Sequence, residues 1–434
     1  MTYYLQVFGC QMNRSDAERI AGLFDNLGLK PAQNKNQTDI YIVVMCSVRQ
    51  MAADRIFGLK NTISQIKKNN PRAKSILTGC TINADKERFA KIFDHTLDIK
   101  TLAGWPSLIG LKNGSIINDD YFHIPARKSS KFSSLIPISK GCDNYCTYCV
   151  VPYTRGPLES RSADNILAEV RDAVNSGSKE IWLLGQNVNN YHWNNTDFAK
   201  LLYLVNNIPG EFWIRFTSPH PKDFTDAAVN VMAKCGKVTP YLNLPIQSGN
   251  NAILKAMGRP YTIETYKTLV KKIREAFTKH RAGLEKEVAL STDVIVGFPG
   301  ETKAQFNNTA NAFRSIKYDM AYIAQYSRRA GTAAAKLDDN VSQNEKKIRE
   351  NTINDIVKKT ALRHNKKYVG KTVAVLVDSI DAINHGYGKN RNYKTVKFEI
   401  TGERTSPGDI VDVKITKALP FGLYGSIITG KEKE

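Results

Sequence analysis

Gly141-Cys142-Asp143-Asn144-Tyr145-Cys146-Thr147-Tyr148-Cys149 places three thiols in one short stretch, separated by three and then two residues. The apolar run at 135–139 just before it reads as a strand, so the thiols fall on the loop that leaves it. Thiolates are soft ligands that suit iron–sulfur clusters and zinc. A loop this tight closes three of them around one metal assembly at little entropic cost. It cannot fill four positions: no fourth Cys follows within reach, and His123 and His192 lie well outside the loop. A ferredoxin run needs its fourth cysteine, and a structural zinc site needs four closed ligands. Three cysteines therefore point to a cubane cluster with one iron left open. The competing reading is a three-cysteine zinc site completed by a distant His.

The chain around this loop has 434 residues, enough for two or three domains with cores of their own. Its 42% hydrophobic and 24% charged content is that of an ordinary globular protein. No apolar run approaches the ~18 residues of a membrane span, and Met1-Thr2-Tyr3-Tyr4-Leu5 lacks the basic start of a signal peptide. A cytoplasmic chain with no membrane partner is expected. Lys and Arg outnumber Asp and Glu by 62 to 41, a net charge of +21 that suggests a polyanionic partner such as nucleic acid. Seven cysteines, an odd count in such a chain, argue for metal binding or catalysis and against a disulfide framework.

Residues 1–117 read as a parallel α/β domain. Strand-like runs at 3–8, 39–45 and 75–78 alternate with helix-like runs at 13–27, 49–68 and 85–93. The first helix is expected to open at the capping-box pattern Ser15-x-x-Glu18. Cys10, Cys46 and Cys80 each fall just past the end of a strand. The carboxyl ends of parallel strands share one edge, where sites on such folds are built. One such cysteine would be an ordinary small buried residue; three at equivalent places read as a second three-thiolate cluster.

Residues 113–134, polar and rich in Lys and Ser, read as a connector. The central segment, 128–363, has strand candidates at 135–139, 180–184, 212–217, 241–246, 288–296 and 320–326. Helical runs intervene at 163–175, 198–206, 224–233, 262–278 and 304–316. Six βα repeats predict a partial (βα)6 barrel with its chemistry on the loops after the strands. Those loops carry Cys142, Gly185-Gln186-Asn187-Val188, Ser218-Pro219-His220-Pro221 and Gly297-Phe298-Pro299-Gly300-Glu301. His220 is read as a capping or packing residue ahead of a proton-transfer group, and Cys235 as structural.

A basic helix follows at 343–367, whose cations fit a solvated face and an RNA-facing one equally. Strands at 372–378, 395–401, 409–416 and 424–429 then predict a small all-β barrel over 366–429. Its Lys389-Asn390-Arg391-Asn392-Tyr393-Lys394 loop mixes cations with an aromatic ring, the composition of a phosphate-and-stacking surface.

The cysteine spacing, with Tyr148 in the aromatic place, resembles the signature of the radical S-adenosylmethionine (SAM) superfamily. The resemblance implies a [4Fe–4S] cluster on Cys142, Cys146 and Cys149, whose open iron chelates SAM and whose electron cleaves it to a radical. Taken over its full length, the chain is similar to the radical-SAM methylthiotransferases: an N-terminal three-cysteine domain, a radical-SAM core and a C-terminal RNA-binding TRAM barrel. Gly9-Cys10-Gln11-Met12-Asn13, Gly79-Cys80, Val150-Val151-Pro152-Tyr153-Thr154-Arg155-Gly156, Gly185-Gln186-Asn187-Val188 and Pro245-Ile246-Gln247-Ser248-Gly249 carry that likeness. The 150–156 and 185–188 stretches resemble the MiaB-type branch, which converts isopentenyladenosine beside the tRNA anticodon into its 2-methylthio form. The resemblance implies a second [4Fe–4S] cluster on Cys10, Cys46 and Cys80, SAM as both methyl donor and radical source, and SAM contacts at Tyr148, Gly185, Gln186, Asn187, Gly297, Pro299 and Gly300. A tRNA anticodon loop and a reductant protein are the implied partners of a monomeric chain; no catalytic side chain is assigned. Two departures stand out: Val44-Met45 replaces the family's Asn-Thr, and Asn243 its His. The sister branches, on threonylcarbamoyladenosine or a ribosomal-protein aspartate, and a non-enzymatic iron–sulfur RNA-binding protein remain the alternatives.

Overall fold

The computed structural model describes residues 1–47, 50–111, 120–400 and 405–428. Parts of the expected helix at 49–68, the connector at 113–134 and the strands ending at 401 and 429 lie outside the described residues.

The N-terminal run of apolar strands forms one parallel sheet in the order β2-β1-β3-β4-β5: β1 (Thr2–Phe8), β2 (Lys30–Pro31), β3 (Ile40–Cys46), β4 (Lys74–Cys80) and β5 (His95–Thr96). Strand β3 is buried at every residue, as its unbroken apolar run requires. Helices α1 (Gln11–Asn26) and α5 (Trp105–Leu108) pack with one face of the sheet, and α2 (Gln50–Phe57), α3 (Lys60–Asn69) and α4 (Asn83–Phe89) with the other. The single helix expected at 49–68 is two helices. Gly58 interrupts it, and the buried Leu59 anchors the second start. The first helix starts earlier than its Ser15–Glu18 pattern suggested. Cys10 is its N-cap residue, and Asn13 Oδ1 accepts the Cys10 backbone N–H at 3.3 Å. Ser15 and Glu18 are instead buried, and Glu18 accepts the Ser129 backbone N–H of the central domain at 2.9 Å.

The central segment carries six parallel strands in chain order: β6 (Ser133–Pro137), β9 (Glu180–Leu184), β12 (Trp213–Phe216), β13 (Tyr241–Asn243), β14 (Ala289–Val296) and β15 (Met320–Gln325). They form two three-stranded sheets, joined where Ile214 bridges Val238. Between β6 and β9, β7 (Ser139–Lys140) pairs with β8 (Glu159–Ser160), and a two-strand ribbon, β10 (His192–Trp193) with β11 (Thr196–Asp197), follows β9. Helices α7 (Ala163–Asn175), α8 (Phe198–Asn206), α9 (Asp226–Lys234), α11 (Ile263–His280) and α12 (Lys303–Ile316) cover the outside. Short helices α6 (Val151–Arg155) and α10 (Asn251–Ala256) sit on the loops. This is the expected partial barrel. Strand β13 is shorter than expected because Pro245 has no N–H to continue the ladder. The chain still follows β14, with Gln247 N–H donating to Asp293 O at 2.9 Å.

Helix α13 (Gln343–Lys366) runs beside β15 and leads into a closed barrel in the order β16-β17-β18-β20-β19. Its strands are β16 (Thr372–Ile380), β17 (His385–Asn390), β18 (Thr395–Glu399), β19 (Ile410–Leu419) and β20 (Gly422–Ile427). Strand β17 was missed because Gly386 and Gly388 normally weaken a strand. Here they make room: a Cβ on Gly386 would lie 2.2 Å from the Phe398 ring, and one on Gly388 would lie 2.1 Å from Leu376 O.

The basic loop expected to face RNA is buried. Asn390, Asn392 and Lys394 are all under 9% exposed. They close the floor of the central barrel, at the amino ends of its strands. Arg215 donates to Asn390 O at 2.9 Å and Arg391 O at 3.0 Å, and Asn392 Nδ2 donates to Glu287 O at 3.0 Å. Lys394 pairs with Asp319 at 2.5 Å, and the Tyr393 ring packs 4.5 Å from that of Tyr241. The polar side chains of this loop suit a foreign domain's carbonyls as well as they suit phosphates, which is why composition alone misplaced it.

Candidate active site

Cys142, Cys146 and Cys149 sit at the opposite end of the barrel, on the loop after β6 and β7. Gly141 opens the loop with φ 78°, and a Cβ there would lie 1.8 Å from Pro157 O, so only glycine fits. Tyr145 holds a positive φ of 42° without being glycine. Ser218 and Gln247, on the loops after β12 and β13, do the same at 55° and 60°. Strain of this kind collects where a site over-determines the backbone. The loop is pinned from behind, with Thr147 N–H donating to Met257 O at 3.0 Å and its hydroxyl to Ala256 O at 2.8 Å.

Burial pushes the Cys142 and Cys149 thiols up, the latter to about 12. Thiols in such a setting ionise only against a cation, which a metal cluster supplies. Donors already face the sulfurs: Asn144 Nδ2 lies 3.5 Å from Cys142 Sγ, and Val151 N–H 3.5 Å from Cys149 Sγ. Three soft thiols on one loop are the donor set of an iron–sulfur cluster.

The other expected contacts converge on this loop. Gln186 Oε1 accepts the Gly141 N–H at 2.5 Å, while its Nε2 is buried without a partner. Asn187 is 1% exposed and donates to Asp223 at 2.7 Å, leaving its Oδ1 unmatched. Ser139 Oγ, against Gly185, is a third buried polar atom without a partner in the same corner. Orphans of this sort mark a place where a polar ligand completes the bonding. Tyr148 and the 297–301 loop meet in one small apolar cluster with Phe298 and Tyr326. Gly297 N–H donates to Glu301 at 2.7 Å, and Glu301 is paired with Arg349 of α13 at 2.7 Å. Gly300 N–H donates to Asn340, and Pro299 lies between them in the loop.

His220 caps the turn after β12, its Nδ1 accepting the Lys222 N–H at 3.2 Å. Burial, then Arg259 and Lys222, lower its pKa to about 2, so it stays neutral. Cys235 is buried in the main core at the end of α9. Of the two departures from the family pattern, Val44 and Met45 are fully buried in β3. Asn243 joins a polar strip inside the barrel, donating to Asp293 at 2.9 Å and accepting from Ser291 at 2.8 Å.

The second triad also converges. The order β2-β1-β3 reverses direction at β1, and ligands on open α/β sheets bind at such a switch point. Cys10 follows β1, while Cys46 and Cys80 end β3 and β4 as register partners. Gly79, at φ 104°, lets β4 close on Met45 O, which a Cβ would approach to 2.3 Å. A hydrogen bond with Cys46 lowers Cys80 to about 6, against the opposing pull of burial and with help from Arg155. The Cys10 thiol is pushed up by packing around its sulfur and then by Cys80. Three thiols tied together in this way fit a second cluster.

Sequence reading missed Arg155. It reaches from the central domain into the N-terminal one, where its Nε donates to Cys80 Sγ at 3.0 Å and its guanidinium forks onto Asp16 at 3.0 and 2.5 Å. Asp16 also accepts the Tyr121 hydroxyl at 2.7 Å. Arg259 was missed too: it donates to the Tyr148 hydroxyl at 3.1 Å and lines a cleft of about 1100 Å³ between residues 221–226 and α10–α11. Arg155 lay inside a stretch already singled out; nothing in the sequence marked Arg259.

Comparison with known proteins finds three family models along the chain. A model of the radical SAM superfamily matches residues 136–313, one for an uncharacterized protein family, UPF0004, residues 2–99, and one for the TRAM domain residues 366–428. Among solved structures, TsrM, a radical S-adenosylmethionine methyltransferase from Kitasatospora setae, superposes with a TM-score of 0.55 at 13% identity, over 77% of each chain. The cobalamin-dependent S-adenosylmethionine radical enzyme OxsB gives 0.52 at 13% identity, over 84% of this chain and 56% of its own. Fold and site thus define a radical-SAM enzyme. Curated tRNA-2-methylthio-N(6)-dimethylallyladenosine synthases from Clostridium novyi (37% identity, 98% of this chain and 96% of the relative), Dictyoglomus thermophilum (36%, 98% and 98%) and Geobacillus kaustophilus (35%, 98% and 82%) align end to end with it. The chain belongs to their family, the radical-SAM tRNA methylthiotransferases, which use SAM and [4Fe–4S] clusters.

Proposed function

We propose that this chain transfers a methylthio group to carbon 2 of an isopentenylated adenosine beside a tRNA anticodon. The observation that carries the reading is the end-to-end match to synthases of that name, on a chain that keeps an open three-thiol loop at its barrel mouth. Cys142, Cys146 and Cys149 would hold the cluster that faces SAM, and Cys10, Cys46 and Cys80 the second. Bound there, the first cluster would supply the electron that cleaves SAM to a radical. The protein's part is positioning: Gln186 holds the cysteine loop, Tyr148 and Phe298 pack its apolar side, and the orphaned polar atoms of Ser139, Gln186 and Asn187 bind SAM. Chemistry on a base requires it to leave the stack, which is cheap in a single-stranded loop.

The functional units are 1–117, 128–363 and 366–429, acting as a cytoplasmic monomer with a separate reductant protein. Among the described residues no helix is long and apolar enough to cross a membrane. The test supplies reconstituted, reduced protein with SAM and three tRNAs, prenylated, threonylcarbamoylated or unmodified, and reads product nucleosides by mass. Methylthiolation confined to the prenylated tRNA is expected. Product on the threonylcarbamoyl tRNA would move the chain to the sister branch, and SAM cleavage with no tRNA product would point to a protein substrate.

A further inference from the structure

One short helix joins the two cysteine triads. At the start of α6 (Val151–Arg155) the Val151 N–H donates to Cys149 Sγ at 3.5 Å, and at its end Arg155 Nε donates to Cys80 Sγ at 3.0 Å. The end of the helix is also tied back to the start of the cysteine loop, where the Cys142 N–H donates to Gly156 O at 3.1 Å. A Cβ on Gly141 would meet the same turn, 2.6 Å from Gly156 O. Segment 141–157 is therefore closed on itself, and the first triad and Arg155 move as one piece. Between Val151 and Arg155 the helix rises about 6 Å, which fixes the spacing of the two sulfur contacts. The direction of the Arg155 side chain is fixed as well. Its Nη1 and Nη2 donate to the two oxygens of Asp16 at 3.0 and 2.5 Å, and Asp16 accepts the Tyr121 hydroxyl at 2.7 Å. All three residues are buried. A planar fork clamped in this way leaves its Nε–H one direction, and the Cys80 sulfur lies along it.

We propose that Arg155 is a positioning residue for the second cluster: α6 uses it to hold the Cys80 side of that cluster at a set distance from the first triad, and its hydrogen bond to the Cys80 sulfur raises the cluster's reduction potential. The inference rests on the reading of Cys10, Cys46 and Cys80 as a cluster site, and it names the residue outside the ligand set that tunes it. Reduction adds an electron to a cluster, and part of that charge falls on the ligating sulfurs. A cationic donor aimed at one of them stabilises the reduced form more than the oxidised form. Asp16 acts in the opposite sense, because its carboxylate offsets the charge of the guanidinium it orients.

The test uses the full-length chain with Cys142, Cys146 and Cys149 replaced by Ala, reconstituted with iron and sulfide so that only the second site loads. The electron paramagnetic resonance signal of its cluster is titrated with dithionite in the presence of redox mediators. Arg155→Met is expected to shift the reduction equilibrium about tenfold toward the oxidised cluster, a midpoint lower by about 59 mV for one electron. Asp16→Asn leaves the guanidinium uncompensated and is expected to move the midpoint the other way, a pair of opposed shifts that loss of packing does not produce. In the complementary chain, with Cys10, Cys46 and Cys80 replaced by Ala, Arg155→Met is expected to move the first cluster's midpoint far less. Should Arg155→Met take up no iron at the second site, Arg155→Lys, which keeps the charge and loses the fork, carries the same readout, with its midpoint below wild type. Loaded second clusters with wild-type midpoints in the Arg155 and Asp16 variants, or equal shifts at both clusters, would overturn the role of Arg155 and leave the second cluster standing. A parent chain that took up no iron at Cys10, Cys46 and Cys80 would overturn both.

Discussion

Arg155 is the side chain whose removal the molecule should tolerate least outside the cysteines. Burial opposes its charge, yet Asp16 and Cys80 outweigh that and hold the guanidinium well above its ordinary value. Taking away one partner of a buried ion pair strands the other, at a cost of about 3–5 kcal/mol. Arg155→Met is expected to lose that much in urea unfolding, and Arg155→Met with Asp16→Asn markedly less; equal losses would mean the pair is not coupled. His220 gives a pH prediction of definite sign. Its folded pKa of about 2 lies below the ordinary 6.5, so between those values the unfolded chain binds the extra proton. Stability should therefore be full above 6.5 and fall as pH drops below it, by up to about 1.4 kcal/mol per pH unit. His220→Asn keeps a capping acceptor and should lose less stability than wild type between pH 7.5 and 5.5. Parallel losses would remove His220 from the account.

At the scale of elements, strands read well where apolar runs were continuous, as in β3 and β9, because burial on both faces leaves one pattern. Helices α7 and α8 came out as expected for the same reason, an apolar stripe against a core. What stayed hidden depended on partners far away in the chain. The polar face of α1, with Asp16, Glu18 and Arg19, looks solvated in sequence but is buried, Asp16 against Arg155 of the central domain and Arg19 against the connector, where it donates to Ile124 O at 2.5 Å. The positions of the six cysteines, at strand ends and on one loop, were legible because strand ends and loop spacing are local; Arg155 was not, since its contacts exist only after domains dock, nor was Arg259, whose partner Tyr148 lies 111 residues away in the chain. Strand β17 shows the same limit, its glycines being explained by Phe398 and Leu376 and not by anything nearby in sequence. Gly388→Ala should consequently overpack the small barrel by about 1–3 kcal/mol. Gly104→Ala, with nothing within 4 Å of the added methyl, should stay within about 0.5 kcal/mol. Thermal unfolding distinguishes them, and similar midpoints would mean that β17 does not pack as described.

For the whole molecule, the contact between the C-terminal and central barrels decides how a truncation behaves. Deleting residues 366–428 would uncover Trp182 and Tyr241 and strip Arg215 of two carbonyl acceptors. Such a deletion is expected to lower the unfolding midpoint of the remaining chain and its SAM cleavage along with tRNA binding. A truncated protein that melts like the intact one and cleaves SAM at the same rate would show the floor to be dispensable. Asp319 strengthens the same junction: Lys394 and His364 outweigh burial and hold its carboxyl well below the ordinary 3.8. Its contribution is full above that value and fades only as pH falls toward the depressed one.

The floor loop also sets an order of events during synthesis. The last strand of the central barrel ends at Gln325, but Tyr393, which packs into its base, leaves the ribosome 68 residues later. At about 5–20 residues per second, a nascent barrel waits on the order of 3–14 s with the rings of Trp182 and Tyr241 uncovered. For that interval two aromatic rings of the barrel floor are open to chaperones, and the completion of the catalytic barrel is timed by the arrival of the C-terminal domain.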